Sequence, residues 1–203
     1  MMRSLLAILI LAGAMAGCID TSRARTQQAL RSQESASADF ARLQARAREL
    51  AIQAERAASE GRVDAAIDLY RQALNTWSKL PSAYNNLGIL LRLKGDDQSA
   101  AEAFSIASEQ DPTDARPPYN LGSVYLDKGW PRRAAEYFHQ ALDRDPNYLP
   151  ALRGAIRSAD LLFLADDRTL EYIERATMME RDPAWAAYIT RQRFRVEQQI
   201  ERR

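Results

Sequence analysis

Apolar residues recur at helical spacing along most of the chain after residue 38. Within residues 38–60 they are Phe40, Leu43, Leu50, Ala54 and Ala57. Intervals of about three or four residues place such side chains on one face of a helix. A similar spacing appears over 149–163 and 167–180, and again over 183–203, where Asp182-Pro183 resembles a helix start. The pattern therefore predicts an all-α chain.

A repeat of 34 residues organises the middle of the sequence. The matching pairs are Asn86-Leu87-Gly88 with Asn120-Leu121-Gly122, Lys94-Gly95 with Lys128-Gly129, Phe104 with Phe138, and Asp111-Pro112 with Asp145-Pro146. They define units 81–114 and 115–148, and one step back defines 47–80. Residues 149–182 keep the helical spacing but have Phe163-Leu164-Ala165 where earlier units have glycine, so we interpret them as a degenerate fourth unit.

The small, aromatic and proline positions of these units resemble the tetratricopeptide repeat (TPR). The resemblance implies two antiparallel helices per unit, with Gly88 and Gly122 where helices cross and Phe104 and Phe138 beside them. It implies a TPR helix-turn-helix solenoid over 38–182, with three clear repeats and the degenerate fourth. The helix over 183–203 is predicted to cap the array, since terminal repeats need a covered core.

The start of the chain has a different pattern. Arg3 precedes an apolar run from Leu5 to Gly17, which is shorter than the ~20 residues that a membrane span needs. With Cys18 it resembles a bacterial lipoprotein signal, although Met15 stands where that signal prefers leucine. The resemblance implies removal of 1–17 and lipidation of Cys18. An ordinary cleavage site beside a chance cysteine is the alternative.

Residues 18–37 are rich in Ser, Arg, Gln and Ala with little apolar periodicity, and we predict a flexible tether there. Ile19 rather than an aspartate follows Cys18. Under the sorting rule of Gram-negative lipoproteins, this favours attachment to the outer membrane, facing the periplasm. The predicted localisation is thus the bacterial cell envelope, with the membrane contacted through the lipid on Cys18.

Charge and residue inventory give no sign of catalysis. With 28 Lys and Arg against 27 Asp and Glu, the chain is nearly neutral, which offers no argument for nucleic-acid binding. The single histidine, His139, is predicted on the outer surface. No phosphate-binding loop or metal-ligand spacing is found. We predict no enzyme, no cofactor, no metal and no small-molecule substrate; the rival is an enzyme with an unfamiliar site.

The TPR resemblance also implies a concave groove lined by the first helix of each unit. Carried onto this chain, its candidate partner-binding residues are Asn85, Asn86, Ile89, Arg92, Tyr119, Asn120, Ser123, Asp127, Arg153 and Arg157. Asparagines at the positions of Asn86 and Asn120 often hold a ligand backbone in peptide-binding members, since an amide both donates and accepts. A purely structural habit of the repeat explains them equally well.

These features predict a non-catalytic scaffold or adaptor that binds a segment of a partner protein. Pilotins and adaptors of cell-wall enzymes are lipoproteins of similar build, and they serve only as analogies. The alternative is a self-assembling structural lipoprotein that dimerises through its terminal helices, over 38–60 or 183–203.

Overall fold

The computed structural model describes the backbone of residues 2–202 and the side chains of Arg25 and residues 27–202. This part of the chain forms nine helices and no strand, so the all-α prediction is confirmed. The helices are α1 Met2–Ser59, α2 Val63–Thr76, α3 Pro81–Leu93, α4 Asp97–Gln110, α5 Arg116–Asp127, α6 Pro131–Arg144, α7 Leu149–Leu161, α8 Asp167–Met179 and α9 Pro183–Glu201.

The chain divides into two compact units, Met1–Arg46 and Ala47–Arg203. Residues 18–37, predicted as a flexible tether, are instead part of α1. No glycine or proline occurs between Gly17 and Gly61, and the Ala, Arg, Gln and Glu of this stretch favour helix. Cys18 and the predicted signal over 1–17 lie outside the residues whose side chains are described, so lipidation stays a prediction.

Within Ala47–Arg203, helices that follow one another in sequence pack together in pairs. The last part of α1 contributes Ala54 and Ala57 to a core that also contains Tyr70 of α2. A second core lies between α6, α7, α8 and α9, where Ile189 and Val196 of α9 are buried. The side chain of Asp182 caps α9 by accepting a hydrogen bond of 2.8 Å from the backbone N–H of Ala184.

Close helix crossings are made possible by glycine opposite phenylalanine. A Cβ atom added at Gly88 would lie 2.6 Å from the ring of Phe104, and one added at Gly122 would lie 2.7 Å from the ring of Phe138. Both contacts confirm the crossings predicted from the repeat. Gly154 of α7 approaches the same Phe138 ring, at 2.5 Å from its added Cβ. The Phe138 ring therefore lies between α5 and α7.

The turn inside each of the first three units has a glycine with positive φ: 76° at Gly61, 83° at Gly95 and 74° at Gly129. In the fourth unit Phe163 stands at the corresponding position, with a φ of 55°. Residues with a Cβ rarely adopt this left-handed conformation, and doing so costs on the order of 1–3 kcal/mol. The Phe163 side chain is 80% exposed, so packing offsets little of that strain.

We expect Phe163→Gly to raise the free energy of unfolding by about 1 kcal/mol, because relief of the strain exceeds the entropy that glycine adds to the unfolded chain. Thermal and urea unfolding of the two proteins would measure the difference. The reverse change at the matched turn, Gly129→Phe, should destabilise the fold. A loss of stability in Phe163→Gly would contradict this account, since it would mean that the exposed ring stabilises the turn.

Candidate functional site

The groove residues predicted on α3 and α5 include a chain of side-chain amides. Asn120 donates to the side-chain oxygen of Asn85 at 2.9 Å, and Asn85 donates to that of Asn86 at 3.4 Å. Asn86 in turn donates to the hydroxyl of Tyr70 at 3.1 Å and to the Glu55 carboxylate at 3.5 Å. These bonds join three successive units through their first helices. Asn85 is buried, while Asn86 and Asn120 are half-buried and accessible from the groove.

Further along the groove, charged side chains form pairs between helices. Arg92 of α3 forms an ion pair with Asp127 of α5. Arg153 of α7 donates from Nε to Glu180 at 2.7 Å, and its guanidinium lies over the Trp185 ring at 4.9 Å from the ring centroid. Such a cation above an indole face is favourable. Arg153 therefore connects α7 to the segment before α9 and to α9 itself.

Glu180 is the most buried charge of this arrangement, with a side chain that is 1% exposed. Its carboxylate also accepts from the backbone N–H groups of Arg181 and Asp182, at 2.9 and 2.8 Å. The hydrogen bonds from Arg153 lower the pKa of Glu180 from its usual value, against the opposing effect of burial. The ionised form is thus the one that the folded chain favours.

We expect Glu180→Gln to lower the free energy of unfolding at pH 7 by about 1–3 kcal/mol, because it removes a charge-assisted contact. A lowered pKa in the folded chain stabilises it fully above the unfolded value of about 4.3, and this stabilisation is lost as the pH falls through the lower folded value. Melting temperatures between pH 7 and pH 3 should therefore converge for wild type and variant.

The exposed Glu174 of α8 supplies the matched control. Its replacement by glutamine should leave both the stability at neutral pH and the acid dependence nearly unchanged. Equal effects of the two substitutions would contradict a special contribution from Glu180.

A cavity of about 330 Å³ lies in the groove over α5 and α7. Six predicted groove residues line it: Arg92, Tyr119, Ser123, Asp127, Arg153 and Arg157. The other four, Asn85, Asn86, Ile89 and Asn120, do not line it. Ile89 is 47% exposed on α3, where it is available to a ligand that extends along the groove.

A second cavity, of about 360 Å³, lies at the end of the groove between α7 and α9. Arg157 and Trp185 line both cavities. Tyr188 donates to Asp160 at 2.9 Å in the wall of the second, and burial followed by this hydrogen bond raises the pKa of Tyr188. Only the sequence signal of an inward face on α9 could have pointed to Trp185, and that signal is equally typical of a capping helix.

His139 differs from its prediction as a surface side chain. It is half-buried between α6 and α8, with its ring 5.6 Å from that of Tyr172. Burial, and then the positive charge of Arg168, lower the pKa of His139. His139 is less exposed than predicted because α8 packs over this position of α6. Among the described residues, no group of His, Cys, Asp and Glu could hold a metal ion.

A comparison with protein families identifies the repeat. Tetratricopeptide-repeat profiles match residues 53–115 and 119–148. The chain contains tetratricopeptide repeats. These matches cover the second unit, most of the third and part of the first, and the groove described above runs along the first helices of these TPR units. Among the residues described by the structure, no helix is long and apolar enough to cross a membrane.

Similar proteins match this chain over only part of their length. The chain is 35% identical over 86 residues to the probable UDP-N-acetylglucosamine–peptide N-acetylglucosaminyltransferase SPINDLY of Solanum lycopersicum, covering 42% of this chain and 9% of that protein. It spans about a tenth of the length of the curated relatives it matches. The Thermobaculum terrenum O-GlcNAc transferase structure is 27% identical, with a TM-score of 0.60, over 70% of this chain and 28% of that one.

A third similarity concerns the fold alone. The first TPR of Spaghetti, solved with a bound HSP90 peptide, superposes with a TM-score of 0.56 at 16% identity. The match covers 59% of this chain and 94% of that one. The TPR solenoid predicted from the repeat is therefore confirmed as the fold.

Proposed function

We propose that this chain is a non-catalytic interaction scaffold that holds a segment of a partner protein in the groove along α3, α5 and α7. The observation that carries the proposal is the open cavity of about 330 Å³ among polar and aromatic side chains of successive TPR units. In this cavity the partner segment would meet the ring of Tyr119, the hydroxyl of Ser123 and the guanidinium of Arg157. A peptide bound to the TPR of Spaghetti is an example of such a ligand on this fold.

The non-catalytic part of the proposal rests on the extent of the similarity to glycosyltransferases. SPINDLY matches over 9% of its length, so most of that protein lies outside the match. Repeats recruit and position partners in many settings without doing chemistry themselves. Hydrolysis of peptidoglycan or peptides by the purified chain, with loss of that activity on changing His139, would overturn this part.

The second part of the proposal is that lipid on Cys18 attaches the scaffold to a bacterial envelope membrane, on the periplasmic side of the outer membrane. It is supported by the basic start, the apolar run over 5–17 and the cysteine that follows. Attachment would keep the groove close to envelope machinery, as for a pilotin or an adaptor of cell-wall enzymes. Mass spectrometry of the membrane-extracted chain should find acyl groups on Cys18, and none in Cys18→Ser.

The groove can be tested by blocking it. In affinity capture from detergent-solubilised envelopes, Ser123→Trp should lose a partner that wild type retains, because the indole fills the cavity between α5 and α7. Gln140→Trp, an exposed position of α6, is the matched control and should keep that partner. Melting temperatures of both variants verify that the fold is intact. A partner retained by Ser123→Trp would place binding on the outer face or terminal helices.

Self-assembly is the second candidate function, since α1 exposes large apolar side chains within Met1–Arg46. Phe40 is 59% exposed and Leu43 is 43% exposed. Exposed apolar side chains three residues apart share one face of a helix, and such a patch is a candidate contact for another helix. Light scattering across a dilution series separates the two functions: a persistent dimer that dissociates on Leu43→Glu would favour self-assembly, and a monomer would exclude it.

A further inference from the structure

Arg157 differs from the other charged residues of the groove. Arg92 is paired with Asp127, and Arg153 is paired with Glu180. Arg157 is exposed and, among the described residues, has no hydrogen-bond or ion-pair partner. It is the one cation lining the two cavities that no carboxylate of the described chain neutralises.

The nearest acidic candidate on α7 is already engaged. Asp160 accepts a hydrogen bond of 2.9 Å from Tyr188 and lies 3.7 Å from Nε of Arg195. These two groups hold the carboxylate towards α9. The guanidinium of Arg157 is therefore left to face the cavities, where it can present two parallel N–H donors to a carboxylate.

The surroundings of Arg157 are largely apolar. Leu161, Ala184 and the ring of Trp185 line the second cavity beside it, and Leu161 is 53% exposed. The rings of Trp185 and Tyr188 pack edge to face, with centroids 5.4 Å apart, which fixes their orientation. A single guanidinium next to a rigid aromatic wall suits a ligand with one carboxylate and one apolar group. It suits a polyanion poorly, because no second unpaired cation lines either cavity among the described residues.

We infer that this end of the groove binds a partner segment through a carboxylate held by Arg157 and a neighbouring apolar side chain packed against Trp185. The inference rests on the proposed function and names the chemistry of the partner. The carboxylate has two sources, an Asp or Glu side chain or the C-terminus of the partner chain. In either case the ligand gains a charge-assisted contact and buries apolar surface in the same step.

The test is a selection, on the full chain in detergent micelles, from random dodecapeptides that are displayed with a free C-terminus. Peptides enriched on wild type should carry Asp, Glu or the C-terminal carboxylate within one or two positions of Leu, Met, Phe or Trp. Fluorescence polarisation with the synthetic peptides should show an affinity loss of about tenfold to a hundredfold for Arg157→Gln. Arg132→Gln, which removes an exposed and unpaired arginine on α6, should leave the affinity unchanged.

Charge reversal separates recognition from a structural effect of Arg157. Arg157→Glu should lose the acidic peptides and bind matched peptides in which the acidic residue is replaced by lysine. Peptides synthesised as C-terminal amides separate the two sources: binding kept by the amide assigns the carboxylate to a side chain, and binding lost assigns it to the C-terminus. Both results support the site at Arg157.

Two other outcomes overturn the inference in distinguishable ways. Selected peptides that lack acidic groups and bind Arg157→Gln as well as wild type, yet fail to bind Ser123→Trp, would leave the groove function standing and refute the role of Arg157. If no selected peptide is sensitive to either Ser123→Trp or Arg157→Gln, the proposed groove function fails, and the inference fails with it.

Discussion

Replacing Phe138 with alanine is expected to lower the free energy of unfolding by about 3–5 kcal/mol, the largest effect that we predict for a single position. The side chain is 1% exposed and belongs to the core shared by α6, α7 and α8. Removing it takes away contacts with both Gly122 and Gly154, and neither glycine has a side chain that could fill the space. Urea unfolding followed by circular dichroism at 222 nm, the usual helix band, measures the change.

Phe194→Ala is the matched control for this experiment. Phe194 lies on α9 and is 67% exposed, so its truncation should change stability by less than about 0.5 kcal/mol. Comparable losses for the two variants would mean that the Phe138 ring is not the junction between α5 and α7 that the structure describes.

Gly122→Leu is expected to lower the free energy of unfolding by about 3 kcal/mol, at the upper end for overpacked cores. The first added carbon alone would lie 2.7 Å from the Phe138 ring and 3.1 Å from the backbone oxygen of Ala134. Because the backbone oxygen cannot move independently of α6, the two helices must separate. The same unfolding measurement applies. Ala187→Leu, which adds a leucine at an exposed position of α9, is the control and should change stability little.

A double variant makes this prediction specific. If the side chain introduced by Gly122→Leu collides with the Phe138 ring, then combining this change with Phe138→Ala should cost clearly less than the sum of the two single changes, by about 1–3 kcal/mol. Strictly additive losses would show that the two positions do not share the crossing.

The repeat made much of the fold predictable, because its signals are local and recur at a fixed offset. Gly88 and Phe104, and Gly122 and Phe138, appear in corresponding places of two units, and the structure confirms both contacts. Gly154 was missed for a physical reason. Its contact with Phe138 joins two successive units, whereas the predicted contacts lie within one unit, and the residues one and two repeats earlier are Asn120 and Asn86 rather than glycine.

The candidate site was predictable only in part. The groove residues follow from the resemblance to the TPR. Their hydrogen-bond and ion-pair partners lie mostly on or beside other helices, and the repeat pattern does not predict which of those residues come into contact. Glu180 lies between two helices and carries no repeat signal, yet its burial beside Arg153 connects α7 to α9. The inward face of α9 was expected to cover the core; that Trp185 also lines two cavities depends on how α9 packs against α7.

The amide chain from Asn120 to Tyr70 has a consequence for the kinetics of recognition. A ligand carbonyl that accepts from Nδ2 of Asn86 must displace Tyr70 or Glu55, because both N–H donors of that group are already engaged, so each such hydrogen bond replaces an existing one. Such an exchange adds little net free energy. A ligand whose donors and acceptors do not match the spacing of these amides binds less favourably, because the displaced Tyr70 or Glu55 and the Asn86 amide would be left without partners. In the proposed function, that stretch of the groove would therefore favour segments whose backbone donors and acceptors match the spacing of the amides, and mismatched segments would dissociate faster.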